Sequence, residues 1–154
     1  MRRAVLALAT GALLAVAPLY PSLAEAAPPC QSVRVDTIKN ASVPVLSWSE
    51  NVGYDRDGSL WVSRFMMSTV ERLDDHGRVT ASVSVPFPGG IAAGPDGRMY
   101  VTSFTKDAVG LLRTGSIYSF NPTAAQPKPR IYTAGLGFPN GLAFDAVGNA
   151  YVGD

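Results

Sequence analysis

Charge, histidine, cysteine and long apolar runs are all scarce in this chain. Only 16% of its 154 residues are charged, and the two signs nearly cancel at a net charge of +1. So few basic residues form no stripe along the sequence, which argues against nucleic acid as a partner. The one histidine, His76, falls in the turn-like run Asp74-Asp75-His76-Gly77. Neither a histidine-rich zinc site nor a Ser-His-Asp triad can therefore be built within the chain. The apolar run over residues 4–17 is shorter than the ~20 residues a bilayer requires, which argues against a membrane span.

That run is better read as the core of a signal peptide. Arg2 and Arg3 precede it, and Ala24-Glu25-Ala26 follows as an Ala-x-Ala cleavage site. Residues 1–26 are thus expected to be removed and residues 27–154 to form the mature chain, secreted or periplasmic and free of the membrane. Cleavage removes Arg2, Arg3 and Glu25 and leaves basic and acidic residues in equal number. The one cysteine, Cys30, then lies near the mature N-terminus. In an exported protein it is either a free thiol or half of a disulfide whose other half lies past residue 154. It is no lipid anchor, because Ala27-Pro-Pro-Cys30 lacks the leucine of a lipobox.

What the sequence does hold is a phrase written three times. The copies are Asn51-Val-Gly-Tyr-Asp-Arg-Asp-Gly-Ser-Leu-Trp-Val-Ser63, Gly90-Ile-Ala-Ala-Gly-Pro-Asp-Gly-Arg-Met-Tyr-Val-Thr102 and Gly141-Leu-Ala-Phe-Asp-Ala-Val-Gly-Asn-Ala-Tyr-Val-Gly153. Each has a short apolar run, a turn closed by Gly58, Gly97 or Gly148, and an aromatic residue followed by valine. A strand-rich unit of about 40 residues, with one copy enlarged, is the period of a β-propeller blade.

Period-2 alternation assigns strands within each unit. In the first they fall at residues 52–55, 60–63, 69–73 and 78–85, with a Gly77-closed turn before the last. In the second they fall at 91–93, 99–102, 116–120 and 130–133. The extra length of this unit is expected in a proline-rich turn at 122–129 and in a long loop over 103–115, where Val109, Leu111 and Leu112 either take part in function or tack the loop to its own blade. The third unit holds two strands. An alternating stretch at 33–38 is a candidate closing strand. The expected fold class is all-β, a β-propeller present here as about two and a half blades, an incomplete fragment of a ring that needs at least four. Gly135-Leu-Gly137 does not open a helix and is no phosphate loop.

Phe138-Pro139-Asn140-Gly141-Leu142-Ala143-Phe144-Asp145, followed by Tyr151-Val152-Gly153-Asp154, resembles the family of senescence marker protein, gluconolactonase and luciferin-regenerating enzyme. The layout from Gly97 onward is similar as well, and the likeness covers most of residues 43–154. It implies a six-bladed propeller with one divalent cation, Ca²⁺ or Zn²⁺, in its central tunnel, and hydrolysis of a small-molecule lactone or ester. Asn140 matches the family's asparagine ligand, and an amide oxygen suits a hard cation. Its alternative role is to cap its own loop by bonding nearby backbone. Glu50, in Glu50-Asn-Val-Gly-Tyr54, resembles the family's acidic ligand, against the alternative of a surface glutamate ending a loop. The residue before the phrase's glycine, or its equivalent, differs between copies: Val52, Gly89 and Asn140. At Gly89 a polar contact of the family is lost or moved, and Asp154 stands where the family's aspartate is structural. The same phrase also suits NHL-type propellers that bind a ligand or protein partner without catalysis. The reading is thus an exported metal-dependent hydrolase of the lactonase type, with a non-catalytic NHL-type propeller as the alternative.

Overall fold

The computed structural model describes residues 35–38, 43, 46–106 and 113–154. Residues 1–26, expected to be a signal peptide, Cys30, residues 33 and 34, and Val109, Leu111 and Leu112 lie outside them. The described chain is all-β, with ten strands in antiparallel sheets and no helix. Strands β1 (Asn51–Tyr54), β2 (Leu60–Arg64), β3 (Thr69–Leu73) and β4 (Val79–Ser84) form one four-stranded sheet in chain order. A second sheet repeats that order with β5 (Pro88–Ala93), β6 (Met99–Lys106), β7 (Arg113–Phe120) and β8 (Arg130–Leu136). Strands β9 (Leu142–Phe144) and β10 (Ala150–Val152) pair as a hairpin. No sheet closes on itself among these residues.

The repeated phrase builds the first hairpin of each sheet. Gly58, Gly97 and Gly148 turn the chain with φ of 80°, 80° and 95°, a region that costs a side chain but not glycine. A turn aspartate then reaches the aromatic residue of the phrase. Asp55 Oδ2 accepts from Trp61 Nε1 at 2.9 Å, Asp96 Oδ2 from Tyr100 Oη at 3.0 Å, and Asp145 Oδ2 from Tyr151 Oη at 3.1 Å. The other oxygen of Asp55 and Asp145 accepts backbone N–H groups of the turn. Asp74 does the same between β3 and β4, where Gly77 has a φ of 72°. These bonds hold the carboxylates of Asp74 and Asp145 below the usual range: the backbone N–H of Arg78 is the largest cause for the first and the Asn149 side chain for the second.

Alternation along the strands sorts the side chains into layers. Trp61, Val70 and Val83 leave the first sheet on one face and meet Ile91, Met99, Val101 and Phe120 from the second, with Val85 completing the core. Trp61 is fully buried, packs on Phe120 at 4.9 Å and lies beneath the Arg72 guanidinium at 5.8 Å. Such a side chain contributes about 1.5–3 kcal/mol on burial. The other face of the second sheet receives the hairpin, where Phe144 packs on Tyr100 at 4.9 Å. The first strands β1, β5 and β9 converge, and at Gly90 they nearly touch. A Cβ there would stand 2.1 Å from the carbonyl oxygen of Asn140, so only glycine admits the 2.8 Å bond from Gly90 N to that oxygen.

Three expectations are corrected. Of the long loop expected over 103–115, the described residues 103–106 and 113–115 are strand, because β6 and β7 stay paired from Met99↔Phe120 out to Lys106↔Arg113. The pairing is helped by a 2.8 Å hydroxyl contact between Thr105 and Thr114. Of the alternating stretch at 33–38, the described residues 35–38 form no strand. They cross the exposed face of the first sheet instead, where Asp36, Thr37 and Ile38 border a hollow of about 330 Å³ with Val52, Tyr54 and Leu60. Strand β8 also runs past 133 to Leu136. The proline-rich segment 122–129 is the turn expected of it.

Burial, with the Asp96 bond adding to it, pushes the Tyr100 phenol up to about 12 from its ordinary 10. Between those values the unfolded chain gives up this proton first, so stability falls as pH rises through the window. The thermal midpoint is expected to decline above pH 10, and less steeply in Tyr100→Phe. Equal slopes in the two proteins would rule out Tyr100 as the source.

Candidate functional site

The end of the sheets opposite the glycine turns carries the candidate site. Register defines which residues correspond there. Val52 pairs with Val62, Ile91 with Val101, and Leu142 with Val152. Counting back two residues in sequence from each first-strand partner gives Glu50, Gly89 and Asn140 as equivalents, with β5 bulging between Pro88 and Ile91 so that Pro88 lies opposite Ser103. Val52 is therefore not the counterpart of Gly89 and Asn140, because it lies within β1 with its side chain on the exposed face. Glu50 occupies that place.

These three positions meet in one cavity of about 170 Å³, lined by Trp48, Glu50, Phe65, Gly89, Phe104, Phe138, Pro139 and Asn140. Larger hollows of about 410 and 330 Å³ lie on the far face of the first sheet and touch none of these residues. Backbone bonds fix the positions. Glu50 N donates to Ser63 O at 2.9 Å, and Asn140 N donates to Gly153 O at 2.8 Å. The Asn140 carbonyl accepts from Gly90 N and from Thr102 Oγ1, both at 2.8 Å. The side chains of Glu50 and Asn140 make no hydrogen bond to any described residue, so Asn140 does not cap its loop through its amide. Gly89 adds no oxygen of its own. A Cβ there would stand 2.8 Å from Thr102 Oγ1 and 3.4 Å from Asn140 Oδ1, so glycine leaves the amide its space.

A second set of equivalents was missed in the sequence. Trp48, Phe87 and Phe138 stand two residues before Glu50, Gly89 and Asn140, so each repeat brings an aromatic ring to this end. The signal lies in the sequence as a constant offset, two residues before Glu50, Gly89 and Asn140. Phe65 and Phe104, each four residues past the phrase's Trp61 or Tyr100, join them. Each upstream segment is also tethered from a residue on, or just past, the second strand of its unit. Arg64 donates to Ser47 O at 2.8 Å and Ser49 Oγ at 2.9 Å, Ser103 Oγ donates to Pro86 O, and Asp154 accepts from the N–H groups of Gly137 and Phe138. Asp154 thus has the structural role expected of it. Phe87 sits at a φ of 39°, a conformation costing an aromatic residue about 1–3 kcal/mol and held by its surroundings.

Chemically, the site offers a carboxylate and an amide oxygen against an aromatic wall. Among the described residues no group of three or more His, Cys, Asp or Glu side chains gathers. The turn carboxylates Asp55, Asp96 and Asp145 are spent on their own hairpins, and His76 is exposed in a turn away from the cavity. No family model matches this chain, and no curated protein matches it significantly.

Proposed function

We propose that the chain forms consecutive blades of a β-propeller, six-bladed by its resemblance to the senescence marker protein, gluconolactonase and luciferin-regenerating enzyme family. We further propose an exported, metal-dependent hydrolase of lactones or related esters. Two four-stranded meanders in chain order, stacked face on face with their first strands innermost, are the layout of neighbouring blades. The functional reading is carried by one observation: Glu50 and Asn140 line the same cavity with side chains that make no hydrogen bond to described residues.

A carboxylate and an amide are hard oxygen donors, which suit Ca²⁺ better than Zn²⁺, whose sites draw on histidine and cysteine. A calcium site takes about 6–8 oxygens, so these two residues would be part of a ligand set. When bound, such a cation supplies Lewis-acid polarisation of a carbonyl and a place for water. The chain's own residues set the stage for it. Glu50 brings the negative charge, the backbone bonds of Asn140 fix the place from which its amide is presented, and the aromatic wall lines one side of the cleft.

Calcium titration tests this directly. At a hundred times its Kd the cation should stabilise the protein by about 2.7 kcal/mol, read as a rise in Tm. Asn140→Ala should abolish that rise while leaving the cation-free Tm unchanged, and Glu50→Gln should weaken it. If neither Ca²⁺ nor Zn²⁺ moved the Tm and Asn140→Ala altered nothing, the metal site would be rejected. The bare Gly89, one equivalent position of three without an oxygen, favours a second reading, an NHL-type propeller that binds without catalysis. Cation-dependent lactone hydrolysis that is lost in Glu50→Gln decides against it.

A further inference from the structure

Five aromatic side chains at this end of the sheets are more than a metal site needs. Phe65 meets Phe87 and Phe104 at ring-centroid distances of 5.5 and 5.3 Å, Phe87 stacks on Phe104 at 5.5 Å, and Phe104 meets Phe138 at 4.2 Å. The cluster is separate from the hydrophobic core, whose aromatic members are Trp61 and Phe120. It is also open to a visitor, since Trp48 and Phe138 remain 46% and 39% exposed. The strained backbone of Phe87 lies within the same cluster, and such strain gathers at ligand sites.

We propose that the cavity takes an aryl or otherwise apolar lactone or ester and discriminates against polyhydroxylated sugar lactones. The inference rests on the hydrolase reading for the reacting head group and on the aromatic wall alone for the rest of the substrate. Among the described residues, Glu50, Asn140 and the Trp48 indole are the only side chains on the wall able to hydrogen-bond. A sugar lactone seated there would turn several hydroxyls toward ring carbons, each losing its water without a partner. A hydrocarbon ring instead removes apolar area from water on both sides. Size agrees, because an apolar cavity of about 150 Å³ holds one benzene ring and this one is of similar volume. Glu50 and Asn140 then face the carbonyl end, and Trp48, Phe65, Phe104 and Phe138 hold the ring.

Trp48 makes the test simple, because the other tryptophan, Trp61, is fully buried. Oxindole, an aryl lactam that resists hydrolysis, is titrated against the protein with tryptophan fluorescence as the readout. Calorimetry and a gluconolactam titration run in parallel, with and without Ca²⁺. Oxindole is expected to shift Trp48 emission and to bind at least about tenfold more tightly than gluconolactam. Phe104→Ala should weaken it by a similar factor, and Phe138→Leu, which keeps an apolar side chain but removes the ring, should weaken it less. In Trp48→Phe the emission change should vanish while calorimetry still detects binding. Equal affinity for the two lactams would overturn the proposal, as would oxindole binding unaffected by both phenylalanine variants. Oxindole binding that survives in a protein hydrolysing no lactone would sink the hydrolase reading and uphold the apolar site. Hydrolysis of aryl and sugar lactones at equal kcat/KM would do the reverse.

Discussion

Arg64→Met is expected to destabilise the protein by about 3–5 kcal/mol, the cost of breaking a buried ion pair from one side. Arg64 is 3% exposed and its Nε lies 3.1 Å from Glu71 Oε2, itself largely buried. Methionine fills much of the same volume but leaves the Glu71 carboxylate without its cation. It also removes the donors to Ser47 O and Ser49 Oγ, and with them the tether of the segment carrying Trp48 and Glu50. Denaturant unfolding measures the loss. The double variant Arg64→Met/Glu71→Leu should recover much of it, since no charge is then stranded, yet the Trp48 emission should remain altered because the tether is still missing. A loss below about 1 kcal/mol would mean that solvent reaches the pair and screens it as it would a surface bridge.

Gly90→Ala is expected to cost about 3 kcal/mol or more, the upper end of what overpacking does. Its new methyl group would stand 2.1 Å from Asn140 O and 3.0 Å from Leu142 N, both backbone atoms that cannot swing aside. The third hairpin must move away, and the bond from Gly90 N to Asn140 O breaks with it. Gly141 supplies the control. It holds the same place in the third copy of the phrase, but a Cβ there meets nothing within 4 Å. Gly141→Ala should therefore change stability by less than about 1 kcal/mol, in either direction. Unfolding midpoints of the two variants test the contrast. Similar effects at both positions would mean that the strands do not approach at Gly90 as described.

The hairpins were legible because their causes are local. A glycine at positive φ, an aspartate bonding its own turn and an alternating run lie within a dozen residues, so Thr69–Leu73 and the three glycine turns could be read directly. The extension of β6 and β7 was not legible, since a strand that outlasts its apolar pattern is held by its partner across the ladder. Ser103, Thr105 and Thr114 alone resemble a loop. Residues 35–38 mislead for the converse reason, having the alternation of a strand but forming none. Asn140 and Glu50 were picked out through a resemblance. That they are true equivalents, with Val52 excluded, follows only from the register of β1 on β2 and β9 on β10. The rings of Trp48, Phe87 and Phe138 escaped notice because a repeat defined by its turn hides what recurs upstream of it.

Asn140 is bound to the fold through its N–H and its carbonyl, and its side chain takes no part. Its identity is consequently almost decoupled from folding, unlike Gly90 across the strand, where no substitution fits. A position of this kind acts like an interchangeable fitting on a fixed mount. Aspartate, glutamine or histidine could occupy it in turn, changing the charge and hardness of the donor presented to the cavity. Selection, or an engineer, could retune the ligand preference here one residue at a time without first stabilising the rest of the chain.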